Sequence, residues 1–177
     1  MFTVTNSTFI SFAHHVRGHA GPCISLHGHT WKFELTLAAD TLDAEGFVLD
    51  FGEVRRRVLV PTHDLLDHSL AMGEKTWEKI GGDLARVGEE LVNTRLETLG
   101  NLGTRQKAHE GDLHGARNAF PGGIKVTLFP FSPTSERLAK WLYELAQATL
   151  ADDRVRVVCA RVTENLHPTE SVAEYRP

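Results

Sequence analysis

No stretch of this 177-residue chain approaches the run of about 20 apolar residues that spans a bilayer, so no membrane partner is expected. Cysteine is scarce. Cys23 and Cys159 are the whole complement, which suits a compartment where thiols stay reduced. The charge lacks a bias as well: 19 Lys and Arg stand against 23 Asp and Glu, a formal −4, which argues against a nucleic-acid partner. A local cluster of basic residues still leaves room for a small anionic substrate. The N-terminal segment has no basic-then-apolar layout, because residues 2–12 alternate apolar and polar, and the reading is a cytoplasmic protein. Repeats and low-complexity tracts are missing too. What remains, 41% apolar and 24% charged residues over a length too short for two typical domains, predicts a single globular domain over 1–177.

The patterning predicts an α+β chain. Phe2, Val4, Ile10, Phe12 and His14 share one parity of a strand over 2–16. Gly18, Gly21 and Pro22 mark a loop to Leu26, and a second strand over 27–38 places Trp31, Phe33, Leu35 and Leu37 on one side. Asp50 and Glu53 form a capping-box pattern that opens a helix expected to stop near Pro61. From Gly73 to Gly123 the character changes. Trp77, Ile80, Leu84, Val87, Leu91, Leu96 and Leu99 suggest one or two amphipathic helices, weakened by Gly81, Gly82 and Gly88, and 101–123 reads as an aperiodic loop with His109 and His114 exposed. A strand over 124–131, a helix opening at Pro133-Thr134-Ser135-Glu136 with Leu138, Trp141, Leu142, Leu145 and Thr149 on one face, and a strand over 155–163 close the pattern. Cys159, in an apolar run, reads as core filling.

The chemistry concentrates in Cys23-Ile24-Ser25-Leu26-His27-Gly28-His29. Strand side chains alternate, so His27 and His29 point to one face, and Gly28 admits a close neighbour. A catalytic zinc commonly takes three protein ligands and keeps one position open. Of the upstream candidates His14, His15 and His19, His14 shares the parity of Ile10 and Phe12, whereas His15 points away and is taken as structural. Cys23 is either a fourth ligand, closing a structural site, or a free thiol whose reactivity depends on activation. Asp67-His68 offers a pair able to supply that activation.

These segments occur in a known order: Ile10-Ser11-Phe12-Ala13-His14, Cys23 three residues before His27-Gly28-His29, Val48-Leu49-Asp50-Phe51, Leu66-Asp67-His68, Pro133-Thr134-Ser135-Glu136 and Thr163-Glu164. In them the chain resembles the 6-pyruvoyltetrahydropterin and 6-carboxytetrahydropterin synthase family, over most of its length outside 73–123, which is long for the family. The resemblance implies a tunnelling fold, a four-stranded antiparallel sheet with helices on one face, assembled as a trimeric or hexameric barrel. It implies Zn2+ on His14, His27 and His29, Cys23 as general base assisted by Asp67 and His68, and Glu164 as the anchor of the pterin ring. Thr134 and Glu136 fall where the family places further pocket and helix-start residues. The pocket would lie between subunits.

Loop length divides the family by product. Three residues between the cysteine and the His-Gly-His triplet, as here, resemble the carboxy-forming branch of deazapurine (queuosine) synthesis, and five resemble the 6-pyruvoyl branch. A third branch carries glutamate in place of the cysteine. The implied substrate is therefore 7,8-dihydroneopterin triphosphate and the implied products 6-carboxy-5,6,7,8-tetrahydropterin, acetaldehyde and triphosphate. The alternatives are the 6-pyruvoyl product and a zinc-bearing pterin-binding protein without turnover. Phe12 departs from the small residue common two positions before the first zinc histidine, and Leu70-Ala71-Met72 from the usual continuation after the Asp-His pair.

Overall fold

The computed structural model describes residues 1–99, 107–165 and 168–177, with the side chains of 92–99 left aside. Strands β1 (Phe2–His14) and β2 (His27–Ala39) follow the alternation of their sequences. Ile10, Phe12 and His14 are buried on the first, and Trp31, Phe33, Leu35 and Leu37 on the second. Phe2 shares the inward parity but is half exposed, so the buried face of β1 is its second half. The intervening loop holds one 3-10 turn, Pro22–Ile24.

Asp50 caps α1 (Phe51–Val54), its carboxylate accepting from the Gly52 N–H at 2.7 Å. Glu53 does not complete the box, because Arg56 takes both its carboxylate oxygens. Nor does Pro61 end the helix. A π turn, Arg55–Leu59, leads into α2 (Val60–Leu66). There the Val60 N–H reaches back five residues to the Arg55 carbonyl. The ladder thus widens just before the residue that has no N–H to give and whose ring would crowd a normal turn.

The remaining elements are β3 (Leu70–Gly73), α3 (Glu74–Leu99), β4 (Asp112–Leu113), β5 (Ala116–Ala119), β6 (Val126–Phe129), α4 (Ser135–Leu150), β7 (Val155–Asn165) and β8 (Ser171–Tyr175). The strands form one sheet in the order β4-β5-β6-β3-β1-β2-β7-β8. That corrects the expected four-stranded antiparallel sheet: among the described residues it has eight strands and mixed direction. The added strands, β3, β4, β5 and β8, are short pieces of two to five residues, too short to show a clear alternation in sequence.

The chain divides into two compact units. One comprises Met1–Ser11, His29–Asp64 and Thr134–Pro177. Here Thr5 meets Thr36 and Ser11 meets Thr30 through their hydroxyls at 3.0 and 3.2 Å, so β1 and β2 run antiparallel. β7 pairs antiparallel with both β2 and β8, which supplies the antiparallel ladder the sequence implied. Helix α4 packs on β7 and β8 and buries Leu138, Trp141, Leu142 and Leu145. Thr149, on the predicted face, is only half-buried, and the face is completed by Ala146 and Leu150. Cys159 is buried in this unit as core filling, and burial pushes its thiol up.

In the same unit Arg176 and Arg161 hold the exposed Glu174 carboxyl at about 2, against its ordinary 4.5. A carboxyl depressed by folding adds stability that is complete above its unfolded value and disappears as pH falls through its folded one. Glu174→Gln is therefore expected to flatten the loss of melting temperature between about pH 4.5 and 2, with no effect near pH 7 beyond the loss of an exposed ion pair. Thermal melts across that range check this.

The other unit comprises Phe12–Gly28 and Leu65–Pro133. β3 runs parallel to both its neighbours: Leu70 lies opposite Ala13 and Val126. Met72, Val126 and Leu128 form a core on which Trp77, Ile80 and Leu84 of α3 pack, as their spacing predicts. Val87 and Leu91 do not continue that face and are exposed, while the side chains of Leu96 and Leu99 lie outside the described residues.

The segment read as an aperiodic loop contains a hairpin, β4 to β5, turned by His114 and Gly115 at positive φ. Residues 101–106 of that reading lie outside the described residues. His114 is exposed as expected, but His109 is half-buried, its N–H donating to Asn118 Oδ1 at 3.1 Å. The helix-weakening Gly88 has a reason to be there. A Cβ on it would sit 2.5 Å from the Pro121 carbonyl oxygen and 2.8 Å from that of Gly122. Gly88→Ala is expected to destabilise the protein by roughly 1–3 kcal/mol through overpacking against backbone, despite the better helix propensity of alanine; a denaturant midpoint measures it.

Candidate metal centre and active site

His14 ends β1 and is buried; His27 opens β2. His14 Nδ1 lies 3.0 Å from the Pro133 carbonyl oxygen, and His27 Nδ1 lies 2.8 Å from that of Ser25. A carbonyl only accepts, so both Nδ1 atoms carry the proton and each neutral ring presents its Nε2 lone pair. Those two Nε2 atoms face each other at 3.1 Å. Two lone pairs at that range repel unless a cation lies between them or one ring gains a second proton. Two nitrogens bound at about 2.0–2.1 Å to one tetrahedral zinc lie roughly 3.3 Å apart, so the spacing suits a shared metal. The carbonyl partners of Nδ1 are the usual outer support of such ligands.

His29 follows His27 by two residues on β2, on the same side of the strand, its ring edge-on to Trp31 at 5.7 Å. Its Nε2 lies 3.7 Å from Glu164 Oε1 on β7, and Ser135 Oγ donates to Glu164 Oε2 at 2.5 Å. The ligand atoms of His14, His27, His29 and Glu164 all lie within 4.8 Å of one another, which makes them a group able to hold a metal ion. His15 stays outside it, with its Nε2 at 3.4 Å from Thr76 Oγ1 and its Nδ1 buried without a partner. Strand parity places His14, and not His15, beside His27.

Cys23 is half-buried on the 3-10 turn, and its carbonyl accepts from the Val16 N–H at 2.9 Å, tying the loop to the end of β1. Asp67 and His68 form the expected pair, with His68 Nδ1 at 2.8 Å from Asp67 Oδ2 and its ring largely exposed. Thr134 is engaged in capping α4, accepting from the Arg137 N–H at 3.4 Å, and Glu136 is exposed in the first turn. The residue between them is the one that reaches the cluster. Ser135 was not singled out from sequence, and its only signal was its place in the Pro-Thr-Ser-Glu motif.

The family model described as 6-pyruvoyl tetrahydropterin synthase matches residues 3–177. A protein of Haemophilus influenzae named 6-carboxy-5,6,7,8-tetrahydropterin synthase is 31% identical over 99% of both chains. A Bacillus subtilis protein of the same name is 37% identical over 70 residues, 39% of this chain and 45% of that one. Among solved structures, an uncharacterized protein of Wolinella succinogenes superposes with a TM-score of 0.65 at 18% identity, covering 99% of this chain and 97% of that one. The 6-pyruvoyl tetrahydropterin synthase of Caenorhabditis elegans does so at 0.55 and 13%, covering 99% and 95%. Those two likenesses establish the shared fold, and the sequence matches establish more: this chain belongs to the 6-pyruvoyl tetrahydropterin synthase family.

Proposed function

We propose that the protein converts 7,8-dihydroneopterin triphosphate and one water into 6-carboxy-5,6,7,8-tetrahydropterin, acetaldehyde and triphosphate, as a zinc enzyme of deazapurine (queuosine) synthesis. The observation that carries the metal is the facing Nε2 lone pairs of His14 and His27, fixed by two backbone carbonyls. His29 is the third ligand. A zinc bound there supplies Lewis-acid polarisation of the substrate's side-chain hydroxyls. The carboxy product is supported by the name of the full-length relative and by the three residues between Cys23 and His27.

Around that centre the chain's own groups divide the work. Cys23, as thiolate, takes a proton from the substrate side chain. His68 passes protons through Nε2, because Asp67 engages its Nδ1 and sets the tautomer. Glu164 accepts paired hydrogen bonds from the 2-amino and ring N–H groups of the pterin, its carboxylate oriented by Ser135. In a trimer or hexamer of the family's kind, Asp67 and His68 serve either their own Cys23 or that of a neighbouring subunit.

Incubation with the triphosphate substrate tests the product directly: acetaldehyde and triphosphate are expected in equal amounts. Triphosphate without acetaldehyde assigns the 6-pyruvoyl reaction instead, and neither product leaves a binding protein. Glu164 carries a further test, since its carboxylate also stands in the metal group. Glu164→Gln is expected to raise KM about tenfold or more by weakening the charge-assisted pair, with zinc content unchanged. Loss of zinc in that variant would make Glu164 a ligand.

A further inference from the structure

The C-terminal end of α2 is held from outside by the strands that follow α3. The Leu65 carbonyl accepts from Thr127 Oγ1 and from Asn118 Nδ2, each at 2.8 Å, and the Leu66 carbonyl accepts from the Ser69 N–H at 3.0 Å. The next carbonyl, of Asp67, accepts from Lys125 Nζ at 2.8 Å, and the same ammonium donates to the Lys107 carbonyl at 2.8 Å. Lys125 is 1% exposed.

An ammonium is costly to bury, and a leucine or methionine would fill the space without that cost. Carbonyls at the negative end of a helix offset it. The charge therefore points to something that packing alone does not need. What it grips is the residue beside His68, and His68 has φ +55, the left-handed region that few residues other than glycine adopt. That left-handed turn accompanies the 2.8 Å contact of His68 Nδ1 with Asp67 Oδ2.

We propose that Lys125 is a positioning residue for the Asp67–His68 pair: by clamping the Asp67 carbonyl it enforces the left-handed turn that sets the imidazole against its carboxylate. The atypical segment after α3 then has a task, since it contributes the Lys107 carbonyl and Asn118 to this support. The inference rests on the pair's catalytic role for its kinetic consequence, and on geometry alone for its structural one.

Lys125→Met in the zinc-loaded enzyme is expected to lower kcat roughly tenfold to a hundredfold, as displaced catalytic groups do, with KM changed less than twofold. Lys125→Arg, which keeps the cation, is expected to recover most of that loss. The structural arm is read without turnover: in the 15N-labelled protein, the Nδ1–H resonance of His68 shifts and broadens in Lys125→Met and is retained in Lys125→Arg. Should Lys125→Met not fold, Lys125→Gln is the second neutral variant, with the same expectations. A neutral variant that keeps both kcat and the His68 resonance overturns the proposal. If His68→Ala itself leaves kcat intact, the catalytic reading of the pair fails, and Lys125 is judged on the resonance, whose persistence in the neutral variant refutes it.

Discussion

Replacing His27 with alanine is expected to leave the purified protein without stoichiometric zinc and to cut turnover by about a thousandfold or more. A Lewis-acid metal is worth several kcal/mol at the transition state, and each 1.36 kcal/mol is a factor of ten in rate. The loss should be specific. His27 is half-buried at the start of β2, where it meets the Ser25 carbonyl and the facing ring of His14. The variant should therefore fold, and it removes the lone-pair conflict along with the ligand. Apo protein of this variant is expected to melt no lower than apo wild type, whereas added zinc should raise the melting temperature of the wild type alone. Metal content and melts with and without zinc check both halves. A His27→Ala protein that still holds one zinc per chain and turns over normally contradicts the assignment.

Cys23→Ala is expected to reduce turnover by about a hundredfold to ten-thousandfold, the range of a lost general base, while zinc stays at one per chain. The prediction separates the two roles open to a cysteine beside a histidine triplet. If Cys23 were a fourth ligand, its removal would weaken the metal and the site would be closed in the wild type. As a base it leaves the metal alone and takes the chemistry with it. The group able to hold a metal among the described residues is His14, His27, His29 and Glu164, without the thiol, which agrees with the second role. Triphosphate release and metal content, measured on the same sample, decide it.

Much of the centre was legible in the sequence because it lies on two long strands. Period-two alternation places His27 with His29 and His14 with Ile10 and Phe12, and these are the features that a one-residue error would have inverted. What was hidden depends on contacts distant in sequence. Ser135 reaches Glu164 across 29 positions, and the Pro133 carbonyl that sets the His14 tautomer lies 119 positions away. The further strands escape the sequence because β3, β4, β5 and β8 are too short to show a clear period, and Pro61 does not end its helix because a π turn absorbs it. Lys125 illustrates the same limit, since nothing in its neighbourhood marks a lysine as buried.

X-ray absorption at the zinc edge of the metal-loaded protein reads the coordination shell itself. The expected result is one zinc per chain with three imidazole nitrogens at about 2.0–2.1 Å and an oxygen ligand in the remaining position. A sulfur ligand at about 2.3 Å, or fewer than three imidazoles, contradicts it.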